Sequence, residues 1–490
     1  MTATAAETPH VSGTSSDSAS PWTPRLWGLL LVLCTVLFLD GLDISMVGVT
    51  LPSIQSDLHL STSTLQWIVS GYVLGYGGLL LLGGRTADLL GRRRVLLIAL
   101  AVFAAASLLS VFVDNGSLLI ATRFVKGVAA AFTAPAGLSI LTTTFPEGPV
   151  RNKAMGIYTV FGASGFSSGL ILGGLLSEIN WRATFLLPAP LALLALLAGL
   201  TFIPKSNERA AGGHDILGAI TSTAALLLLV FTVVSAPGAG WSSVRTLGSF
   251  ALAAALAVAF VLTERRVRHP LVRLGIFGSP SLIRANLGAM SVFGAYAAFQ
   301  FLAALYLQTV LGWSPLQMAL ALLPTGLIVA TSGPTMGRLI TRYGPAPLIA
   351  VGMGAFVTAY ALFLRVNAEP RFVTVILPTA LLIGVGFALC FSSLNVQATT
   401  GVTDDEQGLA SGLVQTSFQI GGAVVLAVTS AVVGHSTIEA GQVPDAFYPA
   451  LVLITAISAL GLVTAIYGAF RDGKPAESED PVEAKVLVSR

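Results

Sequence analysis

The sequence predicts an all-α protein that crosses a lipid bilayer many times. Three observations carry that expectation. The 490-residue chain is 54% apolar and only 10% charged, whereas soluble domains carry about a quarter charged residues. Apolar runs of about twenty residues, long enough to span a hydrocarbon core, recur along its whole length. Lys and Arg are also sorted unevenly among the segments that join those runs, as membrane insertion sorts them.

Taken in order, the runs predict fourteen helices, roughly at 26–50, 64–84, 94–112, 117–141, 154–176, 183–203, 215–235, 246–264, 284–310, 316–338, 347–365, 371–396, 408–433 and 449–470. Residues 1–24 are polar and rich in Ser and Thr, with no basic n-region, so they are expected to form a disordered tail rather than a signal peptide. Residues 471–490 form a second tail. An even number of spans places both termini on one side. "GRRR" (Gly91–Arg94), Arg151, Lys153, Lys205, Arg209, "ERRVRHPLVR", Arg338, Arg342, the C-terminal tail, Arg25, Arg85 and Arg284 give that side about 20 of the 26 Lys and Arg. The other side holds Arg182, Arg245, Arg365 and Arg371. The basic side, with both termini, is therefore expected to face the cytoplasm, in the cell (inner) membrane of a bacterium.

Several function classes find no support. Cys34 and Cys390 both lie in apolar runs, so no disulfide framework is expected. The five His are scattered without metal-ligand spacing. No G-x-x-x-x-G-K-[ST] phosphate loop occurs, and no nucleophile–base pattern marks an enzyme. The expected partners are a small-molecule substrate, protons and the bilayer, with no metal, no cofactor, no nucleic acid and a monomeric chain.

The two ends of the chain repeat one design. "GRTADLLG" (Gly84–Gly91) returns as "GRLITRYG" (Gly337–Gly344), and "RNKAMGIYTVFGASG" (Arg151–Gly165) as "EQGLASGLVQTSFQIGG" (Glu406–Gly422), which aligns Gly156 with Gly412. Parallel repeats build several transporter folds, with the substrate between the halves. The expected layout is a six-helix bundle over 25–205, an extra two-helix hairpin with its flanking loops over 206–270, and a second six-helix bundle over 271–470.

Four charges lie within apolar spans. "FLDGLDISMVGVTLP" carries Asp40 and Asp43 three residues apart, and Arg123 and Lys126 share the same spacing in the fourth span. Ionisable groups at bilayer depth are costly, so they pair or face an interior cavity. Two anions beside two cations would form a neutral cluster if the first and fourth helices meet. Protonating an aspartate would then free a cation, so that proton and substrate compete; the alternative is a static brace. Gly162, Gly165, Gly169, Gly173 and Gly174 form a small-residue stripe suited to close helix approach, read as a seam between the halves that closes against the glycines of the thirteenth span. Candidate cavity residues are Tyr72, Tyr76, Phe132, Phe299, Gln300, Tyr306, Asn395, Gln415 and Gln419, polar or aromatic groups within spans.

Several of these segments resemble one family. "GGRTADLLGRRRVLL" is similar to the loop signature of the major facilitator superfamily, and "RFVKGVAAAFTAPAG" to its fourth-helix R-x-x-Q-G. "GASGFSSGLILGGLL" is similar to the fifth-helix glycine signature of its antiporters, and "LDISMVGVTLPSI" to the first-helix signature of the fourteen-helix drug:proton antiporter branch. The resemblance covers about residues 25–470 and implies the major facilitator fold and alternating access. It implies proton-coupled export of drug-like or antibiotic molecules, with Asp43 at the branch's acidic position. It also implies a latch at the loop Gly84, Arg85, Asp88, Gly91, Arg92, Arg93 and Arg94. Here the acids of "TDDEQ" (Asp404, Asp405 and Glu406) could meet that basic cluster across the pseudo-twofold axis. The chain departs from the family pattern at Lys126 (usually Gln), Leu170 (usually Pro) and Gly48 (often Asn). A cation at Lys126 leaves open an alternative, transport of an anionic or amphiphilic metabolite.

Overall fold

A computed structural model describes residues 22–146, 149–205, 216–267, 272, 274–367, 370–402, 407–433 and 442–472. Both tails beyond 22 and 472 lie outside them. The main helices among the described residues are α1 (Pro24–Leu58), α2 (Thr62–Leu90), α3 (Arg92–Val111), α4 (Gly116–Thr144), α5 (Pro149–Ile179), α6 (Arg182–Phe202), α7 (Ile216–Ala239), α8 (Val244–Glu264), α9 (Pro280–Val310), α10 (Pro315–Tyr343), α11 (Pro345–Phe363), α12 (Phe372–Thr399), α13 (Gln407–Val433) and α14 (Phe447–Asp472). Thirteen of them are long and apolar enough to cross a membrane, and α2 lies along α4 at the same depth.

The ends differ from the sequence expectation where a local rule is overridden. Pro52 predicts that the first helix stops near residue 50, because proline gives up one N–H and crowds the carbonyl four residues back. The helix runs through it to Leu58 and ends on His59 in the left-handed region (φ 50°). The last turn of α9, Leu305–Val310, widens into a π-helix. Such turns re-aim side chains, and here Gln308 reaches across to α1.

Helices α1–α6 pack as one bundle and α9–α14 as a second. Equivalent pairs repeat in the two halves. Helix α5 lies on α1 as α13 lies on α9, and between the halves α5 meets α10 as α13 meets α2. The repeated loop motif folds alike in both. Gly91 (φ 95°) ends α2 and Gly344 (φ 75°) ends α10, each in a backbone conformation that glycine adopts without strain. The hairpin α7–α8 packs beside α2 and α13 through Leu227, Val230 and Val234 against Val73, Leu74 and Ala423. Helix α8 is largely exposed.

The molecule has a basic end, with Arg92–Arg94, Arg151, Lys153, Arg338 and Arg342, and a far end, with the α1–α2 and α3–α4 turns. At the far end Arg182 bonds Asp57 (2.9 Å) and Asp114 (2.6 Å), and Trp181 Nε1 donates to Asp57 (2.8 Å). These bonds tie α1, α6 and the α3–α4 turn together. The halves also touch closely there. Gln308 Nε2 donates to Val49 O (2.7 Å), and Leu316 N donates to Glu178 Oε1 (3.3 Å). Midway, Ser167 Oγ donates to Gly326 O (2.7 Å). Toward the basic end the α5–α10 seam splays. A Cβ at Gly174 would meet Ala319 at 2.6 Å, one at Gly333 would meet Val160 at 3.2 Å, and those at Gly156 and Gly337 would meet nothing within 4 Å. The far end is therefore closed.

Candidate functional site

The site grows from the contact of α1 with α2 and α4. Helices α2 and α4 approach until backbones touch. A Cβ on Gly127 would lie 2.1 Å from Tyr72 O, so only glycine fits. That approach lays the Arg123 guanidinium over the Tyr72 ring (4.5 Å) and lets its Nε donate to Ile68 O (3.3 Å). Arg123 and Lys126 both pair with Asp43, one with each carboxylate oxygen, and all three side chains are buried. Lys126 Nζ lies 4.9 Å from the Phe103 ring centre and 5.6 Å from that of Phe185, on α3 and α6.

Asp40 does not join them. It is 5% exposed, and its Oδ2 has no hydrogen-bond partner. The expected cluster of two anions and two cations is therefore a triad with a lone carboxyl beside it. Three residues turn a helix to about 60° short of a full circle. Asp43 thus faces α4, while Asp40 faces Tyr72 and Tyr76 of α2 and Tyr158 of α5, each within its electrostatic reach.

Asp40, Ile44 and Gly48 recur every four residues on one face of α1. Between α1, α2 and α9 that face borders a cavity of about 30 Å³, lined by Ile44, Gly48, Val69, Val73, Tyr296 and Gln300 among others. It is enough for a water or two. Gln300 Nε2 has no partner, and a Cβ on Gly48 would stand 2.5 Å from it. The amide that family members often carry on α1 would collide here with one supplied by α9. Tyr296 continues into a run of rings, with Phe166 at 5.6 Å and Phe387 at 5.4 Å, that joins the two halves.

The other sequence candidates divide. Tyr72 and Tyr76 flank the two aspartates. Phe299 and Tyr306 lie in the core of the second bundle: Phe299 packs edge-on against Phe363 and tilted against Tyr360, and Tyr306 Oη donates to Asn367 O (2.6 Å). Phe132 packs among apolar side chains of the first bundle, and Asn395 donates to Phe391 O of its own helix. Gln415 is half-buried on α13, and Gln419 packs on Gly77 of α2 across the seam. The sequence reading missed Tyr296, although its i,i+4 spacing to Gln300 puts both on one face. It also missed Tyr158 and Gln308, which no local pattern marks.

The glycine stripe does not close against the thirteenth span. Gly162, Gly165, Gly169 and Gly173 face Leu37, Phe38, Leu42 and Met46 of α1, within their own bundle. Gly174 alone of the five faces the other half, at Ala319 and Leu316 of α10. The repeat explains the difference: α5 and α13 are symmetry mates and lie on opposite sides of the interface. In the loop motif, Gly84 lies by Pro135, Gly91 makes the turn, and Arg93 Nη2 donates to Leu200 O (2.8 Å), within its own bundle. Arg94 is exposed, and Arg85 and Arg92 are half-buried. Asp404, Asp405 and Glu406 lie outside the described residues, as does the side chain of Asp88.

Comparison with known proteins places the chain in a family. A match to the Major Facilitator Superfamily spans residues 33–426. The chain belongs to that superfamily. It is 32% identical to the puromycin resistance protein pur8 of Streptomyces alboniger, over 99% of each chain. It is 33% identical to the cephamycin export protein CmcT of Amycolatopsis lactamdurans, over 92% of this chain and 95% of that one. Among solved structures, the nucleoside transporter NupG superposes with a TM-score of 0.62 at 16% identity, covering 90% of this chain and 99% of that one, which shows the shared fold. The protein is a multi-pass membrane transporter of the facilitator superfamily, not an enzyme.

Proposed function

We propose that this transporter is a proton-coupled exporter of drug-like or antibiotic molecules, working as an antiporter by alternating access with no bound cofactor. The observation that carries the reading is the set of buried charges on α1 and α4 beside an interface cavity, in a chain whose relatives are named for antibiotic resistance and export. A proton moving down one unit of pH gradient supplies about 1.4 kcal/mol, and each charge moving through 100 mV adds about 2.3 kcal/mol. The basic end is read as cytoplasmic, so the closed far end faces outward and this conformation opens inward. Against the alternative, transport of an anionic or amphiphilic metabolite, drug export is favoured by the placement of Lys126, the candidate anion anchor, which pairs with Asp43 and packs toward α3 and α6.

Puromycin, cephamycin-type β-lactams and uncharged aromatic antibiotics would be tested in a sensitive host with and without the gene. Everted vesicles, whose cytoplasmic face is outermost, would then be given the protected compound in the external medium and a pH gradient. Uptake that collapses with the gradient supports the reading. Uptake indifferent to both gradient and potential, or no protection by the expressed gene, overturns it. A C-terminal fluorescent-protein fusion should glow and a C-terminal alkaline phosphatase fusion should be inactive; the reverse would invert the orientation.

A further inference from the structure

The two aspartates of α1 occupy different surroundings, and this divides their labour. Asp43 has a cation on each oxygen, from Arg123 and Lys126, and those cations are held in turn by Ile68 O, the Tyr72 ring and the Phe103 and Phe185 rings. Moving a proton onto Asp43 would leave two buried cations facing a neutral partner. Asp40 has no such restraint: its Oδ2 and the nearby Tyr72 Oη both lack hydrogen-bond partners. The groups that face Asp40 are Asp43 on its own helix, Tyr72 and Tyr76 on α2, and Tyr158 on α5, which itself lies near Cys34. Its stripe of α1 continues through Ile44 and Gly48 into the interface cavity.

From this geometry we infer that Asp40 is the carboxyl that gains and loses the transported proton, while Asp43 is a fixed counter-charge that positions α4. The inference rests on the proton-coupled reading. The step balances as a simple transfer. Hydronium from one aqueous side gives its proton to the Asp40 carboxylate and leaves water; after the halves rock, water on the other side takes the proton back. Tyr72, Tyr76 and Tyr158 stand near Asp40 on the α2 and α5 sides, and the proton's route on this reading is the α1 face that leads through Ile44 and Gly48 to the cavity. The neutral, protonated form no longer competes for a positively charged substrate group at that face.

The test is a direct count of protonatable carboxyls. Full-length protein in lipid nanodiscs is taken from alkaline to acid pH, and infrared difference spectra read the carbonyl band of buried carboxylic acids. Wild type is expected to show the band. Asp40→Asn should lose it. The double variant Asp43→Asn/Lys126→Met, which keeps the net charge of the triad so that the bundle can fold, should retain it. Loss of the band in the double variant with retention in Asp40→Asn would overturn the assignment, as would its absence from wild type. Should the double variant fail to fold, Asp40→Asn against wild type still decides. A band that follows Asp40 while puromycin flux in proteoliposomes ignores the pH gradient would leave the assignment standing and remove the proton-coupled reading instead.

Discussion

Gly165 and Gly421 do the same work in the two halves of the molecule. A Cβ on either would come within 2.2 Å of a backbone oxygen, of Phe38 on α1 and of Met290 on α9. The two sites lie one repeat apart, so the close approach of α5 to α1 is copied in that of α13 to α9. Even alanine would force these helices apart, and overpacking costs about 1–3 kcal/mol. Gly165→Ala and Gly421→Ala are expected to lower the melting temperature of the purified protein. Gly156→Ala, on the same helix but with nothing within 4 Å, should be neutral or stabilising by up to about 1 kcal/mol. Thermal scans of the three variants check this; equal behaviour of Gly156→Ala and Gly165→Ala would refute it.

How far the sequence reached can be judged from particular residues. The spans, the repeat and the four intramembrane charges were readable because hydrocarbon thickness, turn chemistry and charge burial act locally and leave periodic traces. Gly91 and Gly344 were visible as a repeated letter and prove to be a repeated conformation. Partner choice was not readable. Spacing put Asp40 and Asp43 together, and only the placement of α4 shows that both cations go to Asp43. The glycine stripe on α5 was equally visible, yet which helix fills it depends on the pseudo-twofold packing. Phe299 and Tyr296 are three residues apart on α9 and of similar chemistry. One lies in the bundle core and the other at the cavity, and the difference is the angle at which the helix docks.

The triad makes a stability prediction that separates its members. Asp43→Ala leaves Arg123 and Lys126 buried without their anion, a loss of about 3–5 kcal/mol for a broken buried pair. Asp43→Asn/Lys126→Met removes one charge of each sign and should recover most of that loss. Asp40→Asn removes a group with no pairing cation, so it should cost little or raise stability. Melting temperatures in one detergent should rank Asp40→Asn above the double variant and the double variant above Asp43→Ala. A ranking with Asp40→Asn lowest would show that Asp40 holds a cation after all.

Gly48 and Gln300 share one volume, which predicts a compensating pair. Gly48→Asn, a return to the residue common in the family, should collide with the Gln300 amide 2.5 Å from the position of its Cβ. Trimming the glutamine in Gly48→Asn/Gln300→Ala should relieve the clash. The expected result is a strong loss of expression or drug protection in the single variant and recovery in the double. A double-mutant cycle with a coupling below about 0.5 kcal/mol would mean that the two residues act independently.

The last prediction concerns which end of the molecule opens. Gln308 and Ser167 each place a side-chain hydrogen bond across the interface, to Val49 O and Gly326 O. One such bond is worth about 0.5–1.5 kcal/mol net, so removing both should shift the equilibrium between closed and open far ends by about 5–150-fold. Neither residue belongs to the charged triad, so the shift should come without loss of the fold. Spin labels at Phe112→Cys and Val373→Cys, exposed positions at the far end of each half, would report it, since Cys34 and Cys390 are both buried. In the otherwise unaltered protein the distance distribution should be dominated by the short, closed population. In Gln308→Ala/Ser167→Ala a longer population should grow at its expense. The shift must fail to appear if the closed far end is held by the apolar contact at Gly174 and the Leu316 N–Glu178 bond alone, because those survive both substitutions. An unchanged distribution would therefore move the gate from the hydrogen bonds of α5 and α9 to the packing of α5 on α10.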